Sequence, residues 1–91
     1  MTDTADRAQV PLSQDEAIVL FELLSRWFED DDAARPGVDS FESPAECAVL
    51  AGVLASLEKQ LVAPFRDDYA KTVEAARERL AEGWDGTALR V

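Results

Sequence analysis

Ninety-one residues, 47% hydrophobic and 31% charged, are enough for one packed domain but leave much of its surface wet. Nineteen acidic against nine basic side chains give a net charge of −10, which repels nucleic-acid phosphates and anionic lipid and suits either solubility or a basic partner. With no histidine and one cysteine, the commonest general base, the usual thiol–imidazole pair and a structural zinc site are all excluded.

Residues 1–9 are polar and acidic, with nothing to bury and without the basic flank and apolar run of a signal peptide. They read as a frayed leader. Together with the lone Cys47 they make a reducing, cytoplasmic setting the expectation. Ser13-Gln14-Asp15-Glu16 is a capping box, so a first helix is expected over about 14–29. Within it Ala17, Leu20, Phe21, Leu24, Trp27 and Phe28 recur at helical spacing, and Ile18, Val19 and Leu23 widen that apolar face. Glu22 and Arg26 stand in the favourable i, i+4 order.

The helix should stop at Glu29-Asp30-Asp31-Asp32, where four carboxylates meet the negative end of its dipole. A long acidic loop follows, broken at Pro36-Gly37, with Phe41 expected to anchor it to the core. The acidity is concentrated in this half. Residues 1–46 hold twelve acidic and three basic side chains (net −9), and residues 47–91 hold seven and six (net −1).

Ser43-Pro44-Ala45-Glu46 repeats the cap signal with proline at the first helical position, and predicts a second helix over about 44–62. Cys47, Leu50, Ala51, Leu54, Leu57 and Leu61 share one face. Val49 and Val53 widen it, and Ala48, Gly52 and Ala55 form a strip with almost no side chain. No charge interrupts residues 47–57, so this helix reads as central and covered nearly all round, though too short to cross a bilayer. Gly52 costs about 1 kcal/mol relative to alanine. Either it is merely tolerated, or another helix backbone comes close over Ala48, Gly52 and Ala55.

Pro64 should end that helix and Phe65 pack into the corner, with the short 63–66 connection making helices two and three antiparallel neighbours. Asp67 or Asp68 is the expected cap of a third helix over about 68–82, whose narrow stripe is Tyr69, Val73, Ala76 and Leu80. Lys71, Glu74, Arg77, Glu78, Arg79 and Glu82 give it a solvated exterior. Gly83 reads as the stop, Trp84 as folding back onto Leu80, and residues 87–91 as a candidate edge strand beside residues 9–12.

These elements predict an all-α domain, a small bundle of three main helices. Three helices cannot cover Ile18, Val19 and Leu23 together with both sides of helix two, so a homodimer is expected. No Gly-rich phosphate loop is present, and the carboxylates fall on caps, loops and wet faces rather than in pockets that would raise a pKa. The chain is therefore expected to be no enzyme and to need no cofactor. The acidic run lacks the alternate Asp/Asn spacing, central glycine and closing glutamate of an EF-hand.

The elements Leu12-Ser-Gln-Asp-Glu-Ala-Ile-Val-Leu-Phe, Ser43-Pro-Ala-Glu, Leu57-Glu-Lys-Gln-Leu-Val-Ala-Pro-Phe, Tyr69 and Ala76-Arg77 resemble the outline of a group of small uncharacterised bacterial helical proteins. The resemblance spans residues 12–80 and implies a bacterial helical domain, with no activity or functional residue to carry over.

The resulting expectation is a protein-interaction module, immunity- or antitoxin-like, whose acidic surface docks a basic partner protein. Asp30, Asp31, Asp32, Asp39 and Glu42 supply the electrostatics, with Trp27 and Phe28 as apolar anchors. A nucleic-acid mimic that occupies a DNA- or RNA-binding protein, and a small metal-dependent enzyme, are the alternatives.

Overall fold

The computed structural model describes residues 7–61, 67–84 and 86. Among them are three α-helices and no strand: α1 (Gln14–Glu29), α2 (Pro44–Gln60) and α3 (Tyr69–Glu82), with a single 3-10 turn at Val38–Ser40 inside the α1–α2 loop. The predicted corner at Pro64 and Phe65 and the predicted strand at 87–91 lie outside the described residues.

Local chemistry fixes the helix ends. The Ser13 hydroxyl accepts from the Glu16 amide at 3.1 Å while the Ser13 amide donates to the Glu16 carboxylate at 2.7 Å, which completes the box. At Ser43 the cap takes a different form. Its hydroxyl accepts from the Ala45 amide at 2.9 Å, and Glu46 reaches past Ser43 to accept from the Glu42 amide at 3.0 Å. The Ser43 backbone is more extended than that of Ser13, with φ −163° against −68°, and the glutamate meets the amide one residue earlier. Asp68 stands at the N-cap of α3 without a side-chain capping bond, and Gly83 is its C-cap.

α1 is the helix on which both others pack. Ile18, Phe21 and Leu24 of α1, Leu54 and Leu57 of α2, Leu61 just beyond it, and Val73 of α3 form one buried cluster, flanked by Ala17, Leu20, Trp27, Leu50, Val53 and Tyr69. Phe21 and Tyr69 meet edge to face at 6.5 Å. Burying side chains of this size contributes about 1.5–3 kcal/mol each.

This order corrects the picture of α2 as the covered centre. Its inner face, Leu50, Leu54, Leu57 and Leu61, is used as its spacing predicts, but Ala48, Val49, Ala51, Gly52 and Ala55 are exposed, Val49 at 66%. α2 and α3 are neighbours through α1 rather than through each other. The surface of α1 thought too wide for three helices is largely covered: Ile18 is buried, and Val19 and Leu23 are half-buried. The reason is position, since a helix held between two others can bury more than one stripe.

A Cβ built on Gly52 meets nothing within 4 Å, so among the described residues no helix closes over Ala48, Gly52 and Ala55. Gly52→Ala is therefore expected to stabilise the dilute protein by about 1 kcal/mol, read as a higher urea midpoint with an unchanged slope. Trp84 is 68% exposed and does not fold under α3. Its indole lies over Gly86, where a Cβ would come within 2.7 Å of the ring.

Two ionic contacts tie α3 to α1. Glu22 accepts from both Arg26 (2.7 Å) and Arg77 (2.5 Å), and Arg79 holds Asp15 in a two-pronged pair at 2.7 and 2.8 Å. The Arg79 hydrogen bond, opposed by desolvation and aided by the guanidinium charge, draws the Asp15 carboxyl below its ordinary value. A depressed carboxyl contributes stability above its unfolded pKa of about 3.9 and loses it as pH falls through the lower folded value. Asp15→Asn should thus lower the urea midpoint at neutral pH, and the gap from wild type should narrow as the pH falls below the ordinary carboxylate value. A gap that persists in acid would mean Asp15 acts by other means.

Candidate functional site

The acidic loop begins where α1 stops. Asp30 caps the helix in extended conformation, its carboxylate accepts from the Asp32 amide at 3.0 Å, and the Asp30 carbonyl accepts from the Ala33 amide at 3.2 Å. These bonds make a tight local turn that leaves Asp30, Asp31 and Asp32 exposed. Arg35 folds back onto the carbonyl of Asp31 at 2.9 Å and not onto a carboxylate.

Past Pro36-Gly37 the 3-10 turn closes through the bonds Ser40 N–H to Gly37 C=O (2.9 Å) and Phe41 N–H to Val38 C=O (3.2 Å). A Cβ on Gly37 would come within 2.9 Å of the Asp39 carboxylate, so the glycine leaves room for that side chain to sit against the backbone. The turn lifts Val38 out of the protein at 91% exposure and points Phe41 inward, half-buried.

Between this loop and the first turn of α2 lies a groove of about 490 Å³, walled by Pro36, Val38, Phe41, Pro44 and Cys47 with Glu42 and Ser43 at its edge. A smaller hollow of about 120 Å³ continues from it toward the end of α1, between Trp27, Phe28, Arg35 and Leu50. Pro36, Phe41 and Cys47 border both. An open apolar trough thus runs from the start of α2 to the last turn of α1.

Its surroundings are strongly acidic. Residues 29–46 carry seven carboxylates and one arginine, a net of −6. Among the described residues the ion pairs are Arg26–Glu22, Arg77–Glu22 and Arg79–Asp15, so none of those seven carboxylates is neutralised by one. No three potential metal-binding side chains converge among the described residues.

The predicted site residues fall into two groups. Glu42 borders the groove and Asp39 stands beside its Val38 wall, whereas Asp30 borders a separate polar hollow with Phe21, Glu22, Ser25, Arg26, Glu29 and Tyr69 on the α3 side. Phe28 is exposed and borders the smaller hollow. Trp27 packs against the core with its free edge on the same hollow, so it serves as floor more than as projecting anchor.

Sequence reading missed the groove itself, although two bulky apolar residues, Val38 and Phe41, within a polar loop were its available signal. It placed Tyr69 on the apolar stripe of α3 but gave no sign of its hydroxyl, which is buried without a hydrogen-bond partner among the described residues. Burial first, then the charge of Glu22, pushes the Tyr69 phenol upward against the opposing pull of Arg77.

No family model, curated protein or solved structure matches this chain.

Proposed function

We propose that this chain is a non-enzymatic interaction module that holds a basic partner protein across the α1–α2 loop, in the manner of an immunity protein or antitoxin. The observation that carries the reading is the juxtaposition of an open apolar groove, walled by Pro36, Val38, Phe41, Pro44 and Cys47, with a −6 stretch whose carboxylates are unpaired among the described residues. The two features divide the work. An apolar side chain of the partner in the groove sets the lifetime of the complex, while Asp30, Asp31, Asp32, Asp39 and Glu42 speed its approach and exclude acidic competitors. Phe28 extends the apolar contact toward the end of α1. A second copy of the chain is the other partner in this reading, since two acidic molecules meet best where neither carries charge.

The test is capture by immobilised protein from the native host, comparing wild type with the combined variant Val38→Ser, Asp39→Asn, Glu42→Gln. All three positions are exposed, so the variant should fold and melt as wild type does. Wild type is expected to retain a basic protein whose affinity falls with added salt, and the variant to bind it at least about tenfold more weakly. Equal retention by both proteins would reject the groove. Capture of a nucleic-acid-binding protein displaced by DNA or RNA would favour the mimic instead.

A further inference from the structure

We infer that the trough between the α1–α2 loop and α2 takes a basic amphipathic helix of the partner, which lays one large and one small apolar side chain into its two hollows. The inference rests on the reading above and goes further by naming what the partner presents. The occupant is helical because the trough gives an extended chain nothing to pair with. No strand edge is present among the described residues, and the loop amides along the groove are already engaged: Ser40 donates to the Gly37 carbonyl, Phe41 to the Val38 carbonyl and Glu42 to the Glu46 carboxylate. A strand laid there would leave its backbone groups unpaired against apolar walls, whereas a helix satisfies its own.

The hollows set the size and spacing of the anchors. A cavity of about 150 Å³ holds benzene, so the groove of about 490 Å³ has room for an aromatic ring and the hollow of about 120 Å³ suits a short aliphatic side chain. Pro36, Phe41 and Cys47 wall both. Their occupants are therefore neighbours, as side chains at i and i+4 of a helix are, about 5–6 Å apart.

Charge decides which anchor carries the cations. Glu42 borders the larger groove, Glu46 is bound to the Glu42 amide at 3.0 Å, and Asp39 lies against Gly37, between the Pro36 and Val38 walls. None of the three is in an ion pair among the described residues. The smaller hollow has Arg35 on its border instead, donating to the Asp31 carbonyl at 2.9 Å. Lysine or arginine thus belongs beside the large anchor, and neutral residues beside the small one.

Cys47 reports occupancy, since it is half-buried in the wall common to both hollows. Three alanine-rich peptides of about 14 residues and identical composition test the inference on the full chain. The first has phenylalanine and valine at i and i+4 with its lysines beyond the phenylalanine. The second has the lysines beyond the valine, and the third keeps the lysines of the first but sets phenylalanine and valine on opposite faces. The first is expected to slow alkylation of Cys47 by iodoacetamide at least about tenfold at saturation, less so with added salt, and to gain helicity on mixing. The second should bind about fivefold more weakly, and the third should hardly protect. Equal protection by the first and third would mean that charge alone holds the peptide, and overturns the helix; equal affinity of the first two overturns the placement of the cations. Protection by none of them, where a basic protein captured from the host does protect Cys47, overturns the helix and leaves the basic-partner reading standing. Failure of both removes the two together. Protection that grows with protein concentration in the absence of peptide would give the trough to a second copy, and overturns the inference.

Discussion

Leu24→Ala is expected to be the most damaging single truncation in this protein, costing about 3–5 kcal/mol of folding free energy. Leu24 is 1% exposed and lies on α1, the helix that both α2 and α3 pack against. Removing its branched end leaves a cavity between three helices, each tethered by its other contacts and unable to collapse freely into the gap. A domain of this size has on the order of 5–14 kcal/mol of stability in all, so the loss would take about a fifth of it or more. Urea denaturation followed by circular dichroism reads the effect directly. A cost below about 1 kcal/mol would mean that the α1-centred core is wrong, since exposed positions respond on that scale.

The second large effect is expected at Ala76→Leu. Ala76 is 0% exposed on the face of α3 that carries Val73, and its methyl is all that this position presents to the core. Three added carbon atoms must push α3 away from α1 or force side chains off their rotamers, at about 1–3 kcal/mol. Separation would also strain the Glu22–Arg77 and Asp15–Arg79 pairs, which hold the same two helices together. Ala81→Leu is the control. That residue is exposed on the same helix, and the identical change there should stay within about 0.5 kcal/mol. Equal melting temperatures for the two variants would refute close packing of α3 on α1 at Ala76.

The candidate site was legible in part. Carboxylates at 30–32, 39 and 42 could be named from the chain because their exposure follows from charge alone: only Arg26 and Arg35 stand near these five in sequence, and burying them unpaired would be prohibitive. The groove could not, because its walls come from two places. Pro36, Val38 and Phe41 belong to the loop and Pro44 and Cys47 to α2, and only the short turn at Val38–Ser40 sets one against the other. The pairing of Asp15 with Arg79, 64 residues apart, was hidden for the same reason.

What the chain decided by itself are the features made by residues within a turn of one another. The Ser13 box, the proline that opens α2, the stop at Gly83 and the inner stripes Leu50-Leu54-Leu57-Leu61 and Tyr69-Val73-Ala76 are of this kind, because capping bonds and helical spacing are short-range and need no partner. Tertiary packing alone decided which helix lies in the middle. Apolarity belongs to a residue, but burial belongs to its neighbours. α2 is the greasier helix, yet α1 is the one covered from two sides, and the small uncharged face of α2 is left facing outward.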